Sequence, residues 1–256
     1  MSKIISIANQ KGGVGKTTSA INLSASLAAA EKRTLLIDSD SQGNASTGLG
    51  IERSTSRDGN LYHALIGHKS LSDVIIHTQL PYLDLVPADQ NLIGVEVEFV
   101  EMEDREKKLK FLLRDPFLSY DFIIIDCPPS LGFLTVNALV ASDYVIVPLQ
   151  CEYFAMEGLG HLMNTVKLIR SGFNPSLTLG GILLTMFDSR NLLSHRVSED
   201  VKKYFGNKVF NTVIPRNVRL SESPSHGLPI IQYDIKSRGA IAYMELAHEI
   251  LQNGRF

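Results

Sequence analysis

Two cysteines in 256 residues are too few for a disulfide framework, and both Cys127 and Cys151 sit inside apolar, strand-like stretches. Buried thiols in a reducing compartment are expected. No apolar run approaches the ~18 residues that cross a bilayer, so no membrane helix is expected. The opening MSKIISIANQ holds one lysine and then reads at once as a strand, without the apolar segment and small-residue cleavage site of a signal peptide. These absences lead to the expectation of a cytoplasmic protein. A strong charge of either sign is missing too: 25 Lys and Arg face 27 Asp and Glu, a formal net charge of −2. That balance excludes nucleic-acid binding by bulk charge alone. The charge is nevertheless uneven, with 13 Lys/Arg against 20 Asp/Glu in residues 1–159 and 11 against 5 in residues 160–239. A solvated mixed surface is the plain explanation of such a bias, and a basic binding patch is its rival.

What the chain has in quantity is short apolar runs rich in Ile, Val and Leu. They cover residues 4–8, 34–38, 83–87, 122–126, 144–149, 179–185 and 210–215. Most are separated by enough chain for a helix. Near-continuous apolar strands alternating with helices predict an α/β fold: a doubly wound, mostly parallel sheet covered on both faces, here in one domain over residues 1–256. Helical spacing of Ile21, Ala25 and Ala28 marks a helix over 17–30, and Leu109, Leu112 and Leu113 make the apolar side of a charged helix over 103–114. A last helix over 240–251 places Ile241, Met244, Ala247 and Leu251 on one side, but its charges are Glu245 and Glu249. A membrane-surface helix carries Lys and Arg there, so core packing is expected instead.

Between the first strand and its helix stands NQKGGVGKTTSAI, residues 9–21. A phosphate loop of the form G-x-x-x-x-G-K-[ST] fits from Gly15 onward, except that Gln10 occupies the first glycine position and Lys11 adds a second lysine. Gly12, Gly13 and Gly15 let the backbone curl and aim successive N–H groups at an anion on the positive end of the following helix. Val14 and Thr18 complete the candidate lining. Lys16 supplies a point charge for β- and γ-phosphates, and the Thr17 hydroxyl can ligate Mg²⁺. Mononucleotide binding follows.

Two more strand ends carry carboxylates. LLIDSDSQGN brings Asp38 and Asp40, and IIIDCPPS brings Asp126. A single aspartate after a strand is more often a cap or turn former. In a parallel sheet, however, the carboxyl ends of strands line one crevice, which lets all three converge beside the phosphates. Asp126 is the candidate to hold Mg²⁺ through water, with Asp40 as a further candidate.

Together KGGVGKTT, DSDSQGN and IIIDCPPS resemble the deviant Walker A, Walker A′ and Walker B motifs of ParA/MinD-type ATPases. MFDSR (186–190) and VIPRNVRLSESPSHGLPI (213–230) are similar to segments of the ParA (Soj) branch, so the resemblance runs over nearly the whole chain. It implies an ATPase using ATP and Mg²⁺ that forms a sandwich homodimer on ATP binding. Lys11 is then the signature lysine, reaching the nucleotide held by the other subunit, and with Lys16 and Asp40 it makes up the catalytic set. Asp40 orients the attacking water, Asp38 supports its loop, and Gly12 lies at the dimer seam. Pro215 and Asn217 match positions that contact adenine.

The same resemblance gives the basic third quarter a second meaning. Arg190 and Arg219 match positions at which ParA proteins hold double-stranded DNA, and Arg196, Lys202 and Lys203 extend the patch. Only ten residues precede the loop, too few for a helix-turn-helix, so nonspecific binding on the nucleoid is expected, with release stimulated by a ParB-type centromere-binding partner. Two alternatives share the motifs. A MinD-like ATPase, or another that positions cargo on a membrane or protein surface, calls for a basic C-terminal helix in the membrane case, which residues 240–256 do not supply. An iron–sulfur protein of the nitrogenase iron-protein kind would need Cys127 and Cys151 at a dimer interface.

Overall fold

In the computed structural model, residues 2–52, 54–115 and 118–252 are described. Seven strands form one sheet: β1 (Lys3–Ile7), β2 (Thr34–Asp38), β3 (Ile76–His77), β4 (Leu83–Val86), β5 (Phe122–Asp126), β6 (Tyr144–Gln150) and β7 (Thr178–Thr185). Their spatial order is β3-β4-β2-β5-β1-β6-β7, and every pairing is parallel except β3 with β4. The expected α/β sheet is present.

The continuous apolar runs follow from burial on both faces. Leu35 and Ile37 point into one apolar cluster with Ile123, Ile125, Val145 and Val147. Leu36 points into the other, with Ile5, Ile7, Ile124 and Ile146. Helices Leu92–Glu98, Phe133–Ala141, Ala155–Gly172 and Leu192–Phe205 contribute to the first layer. Lys16–Ala29 and Arg238–Gln252 pack in the second, where Tyr243 donates to or accepts from Ser19 Oγ at 3.0 Å. The final helix therefore belongs to the core, although residues 253–256 of the tail weighed above lie outside the described residues. No helix among the described residues is long and apolar enough to cross a membrane.

Three local expectations need correction. The stretch 210–215 is not a strand. It lies beside β7 through two isolated bridges, Ile182 with Val209 and Phe187 with Pro215. The N–H groups of Asn211 and Thr212 instead donate to the Glu249 carboxylate at 2.9 Å each, so they are unavailable to a ladder. Over 103–114 a single helix is replaced by a 3₁₀ turn, Arg105–Lys107, and a short helix, Lys108–Leu112. The Asn137 side chain donates to Arg105 O and accepts from Leu109 N, the very pair that a continuous α-helix would join. The third case is β3, whose two residues are too short to show a period.

Candidate nucleotide site

β1, β2 and β5 end side by side in mid-sheet, with Ile7 paired to Asp126 and Asp126 to Asp38. The chain leaves β1 for one half of the sheet and leaves β5 for the other. That reversal opens a crevice at the carboxyl ends of the strands, where ligands of doubly wound sheets bind.

The loop from β1 to helix Lys16–Ala29 has the conformation its glycines permit. Gly13 and Gly15 adopt φ of 74° and 87°, and Gly15 is the residue before the helix. Asn9 fixes the start of the loop, donating to Pro148 O at 2.7 Å and accepting from Lys11 N at 3.0 Å. Thr185 Oγ donates to Val14 O at 2.8 Å and pins the far side.

The two lysines are placed differently. Lys16 is buried, and its ammonium donates to Lys11 O at 3.0 Å across the loop. Burial lowers its pKa, while Asp126, Cys127 and Asp40 act in the opposite direction. Lys11 is half-exposed, and its ammonium forms an ion pair with Glu152 beyond the end of β6.

The carboxylates converge as expected. Asp38 is fully buried and accepts from Ser46 N at 2.8 Å, Ser46 Oγ at 2.7 Å and Asp40 N at 3.2 Å. Burial nonetheless pushes its pKa up to about 6. Asp40 caps its own turn, accepting from Gln42 N at 3.0 Å. Asp126 is also buried, and neither of its carboxylate oxygens has a hydrogen-bond partner of ordinary geometry among the described residues. Burial first and the Asp38 carboxylate second raise its pKa well above the usual range, with Thr17 and Lys16 opposing. Two buried carboxyl oxygens without such partners, beside a threonine hydroxyl, are a donor set that a hard divalent cation would satisfy.

Two clefts adjoin here. One, of about 290 Å³, is lined by Gly12, Gly13, Gly15, Lys16, Thr17, Thr18, Asp40, Asn44, Pro129 and Met186. The other, of about 340 Å³, includes Pro215, Asn217, Leu220 and Tyr243, and shares Gly15, Thr18 and Met186 with the first. The phosphate loop and the two candidate base contacts are thus two ends of one path. Asn217 Oδ1 accepts from Arg219 N at 2.8 Å, capping helix Val218–Glu222.

Residues 2–179 match the AAA domain family. The chain is 55% identical over 250 residues to the chromosome partitioning protein ParA of Myxococcus xanthus (strain DK1622), a match that covers 98% of this chain and 88% of that one. The chain belongs to the ParA/Soj family. It is also 54% identical over 254 residues to the sporulation initiation inhibitor protein Soj of Bacillus subtilis (strain 168), covering 99% of this chain and 100% of that one. Among solved structures, cobyrinic acid a,c-diamide synthase from Mycobacterium smegmatis, with bound ATP analog and magnesium, superposes with a TM-score of 0.86. Its identity is 36%, and the match covers 98% of this chain and 95% of that one.

In this ParA/Soj chain the two candidate DNA arginines each follow one of two paired segments, Arg190 in the turn after Phe187 and Arg219 in helix Val218–Glu222 after Pro215, because Arg216 N donates to Phe187 O and Phe187 pairs with Pro215. Both already have acidic partners. Arg190 grips Asp188 with Nε at 3.0 Å and Nη2 at 2.9 Å, and Arg219 reaches Glu222 at 2.9 Å and Asp234 at 3.5 Å. Arg196, Lys202 and Lys203 are exposed on helix Leu192–Phe205. The cysteines are buried and free, at the end of β5 and just after β6.

Sequence reading missed four members of the site. Glu152, Ser46, Met186 and Tyr243 come from segments with no phosphate-loop signature, and only the fold brings them in. Two signals were available: Met186 opens MFDSR, and Tyr243 lies in the helix expected over 240–251.

Proposed function

We propose that the chain is an ATP-dependent DNA-partitioning switch. ATP binds across the two clefts, with its phosphates on Gly12–Thr18 and its base against Pro215 and Asn217. A second subunit closes over it, and the dimer holds nonspecific double-stranded DNA through Arg190 and Arg219 on the nucleoid of a cytoplasmic chain. A ParB-type partner stimulates slow hydrolysis to ADP and phosphate and so releases it.

The observation that carries this reading is the division between the lysines. Lys16 is buried within its own loop with its ammonium on Lys11 O, where a phosphate chain in the same cradle would meet it, whereas the Lys11 ammonium points out to the rim at Glu152. A rim cation is suited to a nucleotide on another subunit, supplied in trans as an arginine finger is. Gly12 supports this. A Cβ there would meet only Pro129, at 4.0 Å, so its own subunit does not require a glycine, while close approach of a second one does.

Thr17 and Asp126 are the residues that would hold Mg²⁺, which when bound neutralises charge on the β- and γ-phosphates. Asp40 is the residue assigned to orient water; its burial beside Lys16 and its bond from Gln42 N support this, and Asp38 and Ser46 hold its turn. The relatives named for chromosome partitioning stand at up to 55% identity, above the 36% of the synthase, and this favours partition over the synthase's activity.

The deciding experiment is binding to random-sequence duplex DNA without nucleotide, with ADP and with ATP plus Mg²⁺, at two salt concentrations, alongside mass by light scattering. Salt-sensitive binding that appears only with ATP and tracks a doubled mass is the expected result. An ATP dimer indifferent to DNA would overturn the partition reading while leaving nucleotide chemistry in place.

A further inference from the structure

Outside the nucleotide site, Glu249 is the one charged side chain buried among the described residues, 8% exposed near the end of helix Arg238–Gln252. Burying a carboxylate is costly unless strong hydrogen bonds offset the loss of water. One Glu249 oxygen accepts from Asn211 N at 2.9 Å, and the other accepts from Thr212 N at 2.9 Å and Thr212 Oγ at 2.8 Å. These donors lie in the segment beside β7 that leads on to Pro215, Asn217 and Arg219.

The segment is tied to β7 on either side of them. Phe210 N donates to Ile182 O at 3.0 Å, and Ile214 N donates to Leu184 O at 2.9 Å. From 210 to 214 the segment thus advances four residues while β7 advances two, from 182 to 184. In an unbroken parallel ladder the bonds are evenly spaced, and Thr212 N would meet Leu184 O. Glu249 takes Thr212 N instead, the two residues of slack bulge toward the final helix, and Ile214 N takes the carbonyl. The near end of the bulge is fixed by packing as well: Phe210 is fully buried, and a Cβ on Gly181 would collide with its ring.

β7 is also the element to which the phosphate loop is pinned, since Thr185 Oγ donates to Val14 O at 2.8 Å. Past the bulge, Phe187 N donates to Ile214 O and Arg216 N to Phe187 O. The register of the segment on β7 therefore fixes the span from the phosphate cradle to Pro215 and Asn217. Drawing the slack into the ladder would displace both by two residues, roughly 7 Å at the ~3.3 Å rise of a strand. A base tethered to phosphates in the cradle could not follow.

We propose that Glu249 is a positioning residue for nucleotide specificity: by holding the bulge at Asn211 and Thr212 it sets the register that brings Pro215 and Asn217 within reach of the base. This rests on the reading of those two residues as base contacts given above. Glu249 lines neither cleft and acts through the backbone it holds.

The test compares affinity for ATP with affinity for inorganic tripolyphosphate, each with Mg²⁺, by titration calorimetry on the full chain as wild type, Asn217→Ala, Glu249→Ala and Glu249→Gln. Wild type is expected to prefer ATP by about tenfold or more. Glu249→Ala is expected to lose about tenfold in ATP affinity while tripolyphosphate stays within about twofold of wild type, and Glu249→Gln, which keeps one acceptor oxygen, to fall between. Where Glu249→Ala does not fold, a loss of about threefold or more in the ATP to tripolyphosphate ratio of Glu249→Gln supports the same role. Equal loss for both ligands, or for neither, beside a lowered ratio in Asn217→Ala, would make the carboxylate merely structural and overturn the inference while leaving the base seat standing. A wild type without preference for ATP, or an unchanged ratio in Asn217→Ala, would overturn the base seat and the inference with it.

Discussion

Lys16 and Lys11 stand five residues apart in one loop, yet burial separates their chemistry. Replacing Lys16 with alanine removes a buried cation whose charge-assisted bonds are worth roughly 1.5–3 kcal/mol, so ATP affinity is expected to fall by about 10- to 100-fold in titration calorimetry. Lys11→Ala removes a rim cation instead. It is expected to bind ATP within a few-fold of wild type and to remain monomeric by light scattering, and an ATP dimer of this variant would show that the second lysine has another purpose. Asp40→Ala leaves the phosphates cradled but the water unoriented. Self-association with ATP should persist while phosphate release slows by about 10²-fold or more in a steady-state assay. At this scale the sequence was legible wherever a side chain belongs to a contiguous motif, as with Lys16, Thr17 and Asp126. It was silent on Glu152 and Ser46, whose importance comes from through-space bonds to Lys11 and Asp38.

Elements were readable in proportion to how regular their burial is. β2 and β5 are buried at every position and read as unbroken apolar runs of the observed length. Residues 210–215 read as another short apolar run, but Glu249 takes two of their N–H groups and Pro215 has none to offer. Likewise Asn137 divides the helical pattern of 103–114 from across the layer. No local pattern contains such side chains from distant elements. The helix Arg238–Gln252 permits a test. Its Tyr243 hydroxyl is buried against Ser19 on the helix that follows the phosphate loop. Tyr243→Phe should cost about 1 kcal/mol in urea unfolding, because the Ser19 hydroxyl is left without that partner, and it should leave ATP affinity nearly unchanged. A loss of nucleotide affinity beyond tenfold would instead make the tyrosine a direct contact in the base cleft that it lines.

For the whole molecule, the near-neutral total charge makes DNA binding a question of arrangement. One subunit offers few arginines, already paired with Asp188, Glu222 and Asp234, and exposed pairs of this kind are weak enough to exchange for phosphate. Two-fold doubling would make the patch useful. Arg219→Ala removes one phosphate contact per subunit, so the dimer's plot of log affinity against log salt should become shallower by about 2 units, with mass and ATP affinity unchanged. An unaltered slope would exclude Arg219 from the DNA surface.

The segment hung beside β7 separates two mechanical regimes. Phosphates would be gripped by strand ends in mid-sheet, where backbone bonds are shielded on both faces. Base and DNA contacts would ride on an outer arm attached through a few bonds, among them Phe210 N to Ile182 O and Ile214 N to Leu184 O. Such an arm opens more readily than the sheet it borders. Amide exchange should therefore be slowest along β1 and β5 and faster, though still protected, at Asn211, Thr212, Ile214 and Arg216, whose N–H groups hold the arm in place, and ATP should slow the second group far more than the first. The nucleotide would act as a splint for the arm that carries the DNA arginine, and its hydrolysis would let that arm loosen before the phosphate cradle changes at all.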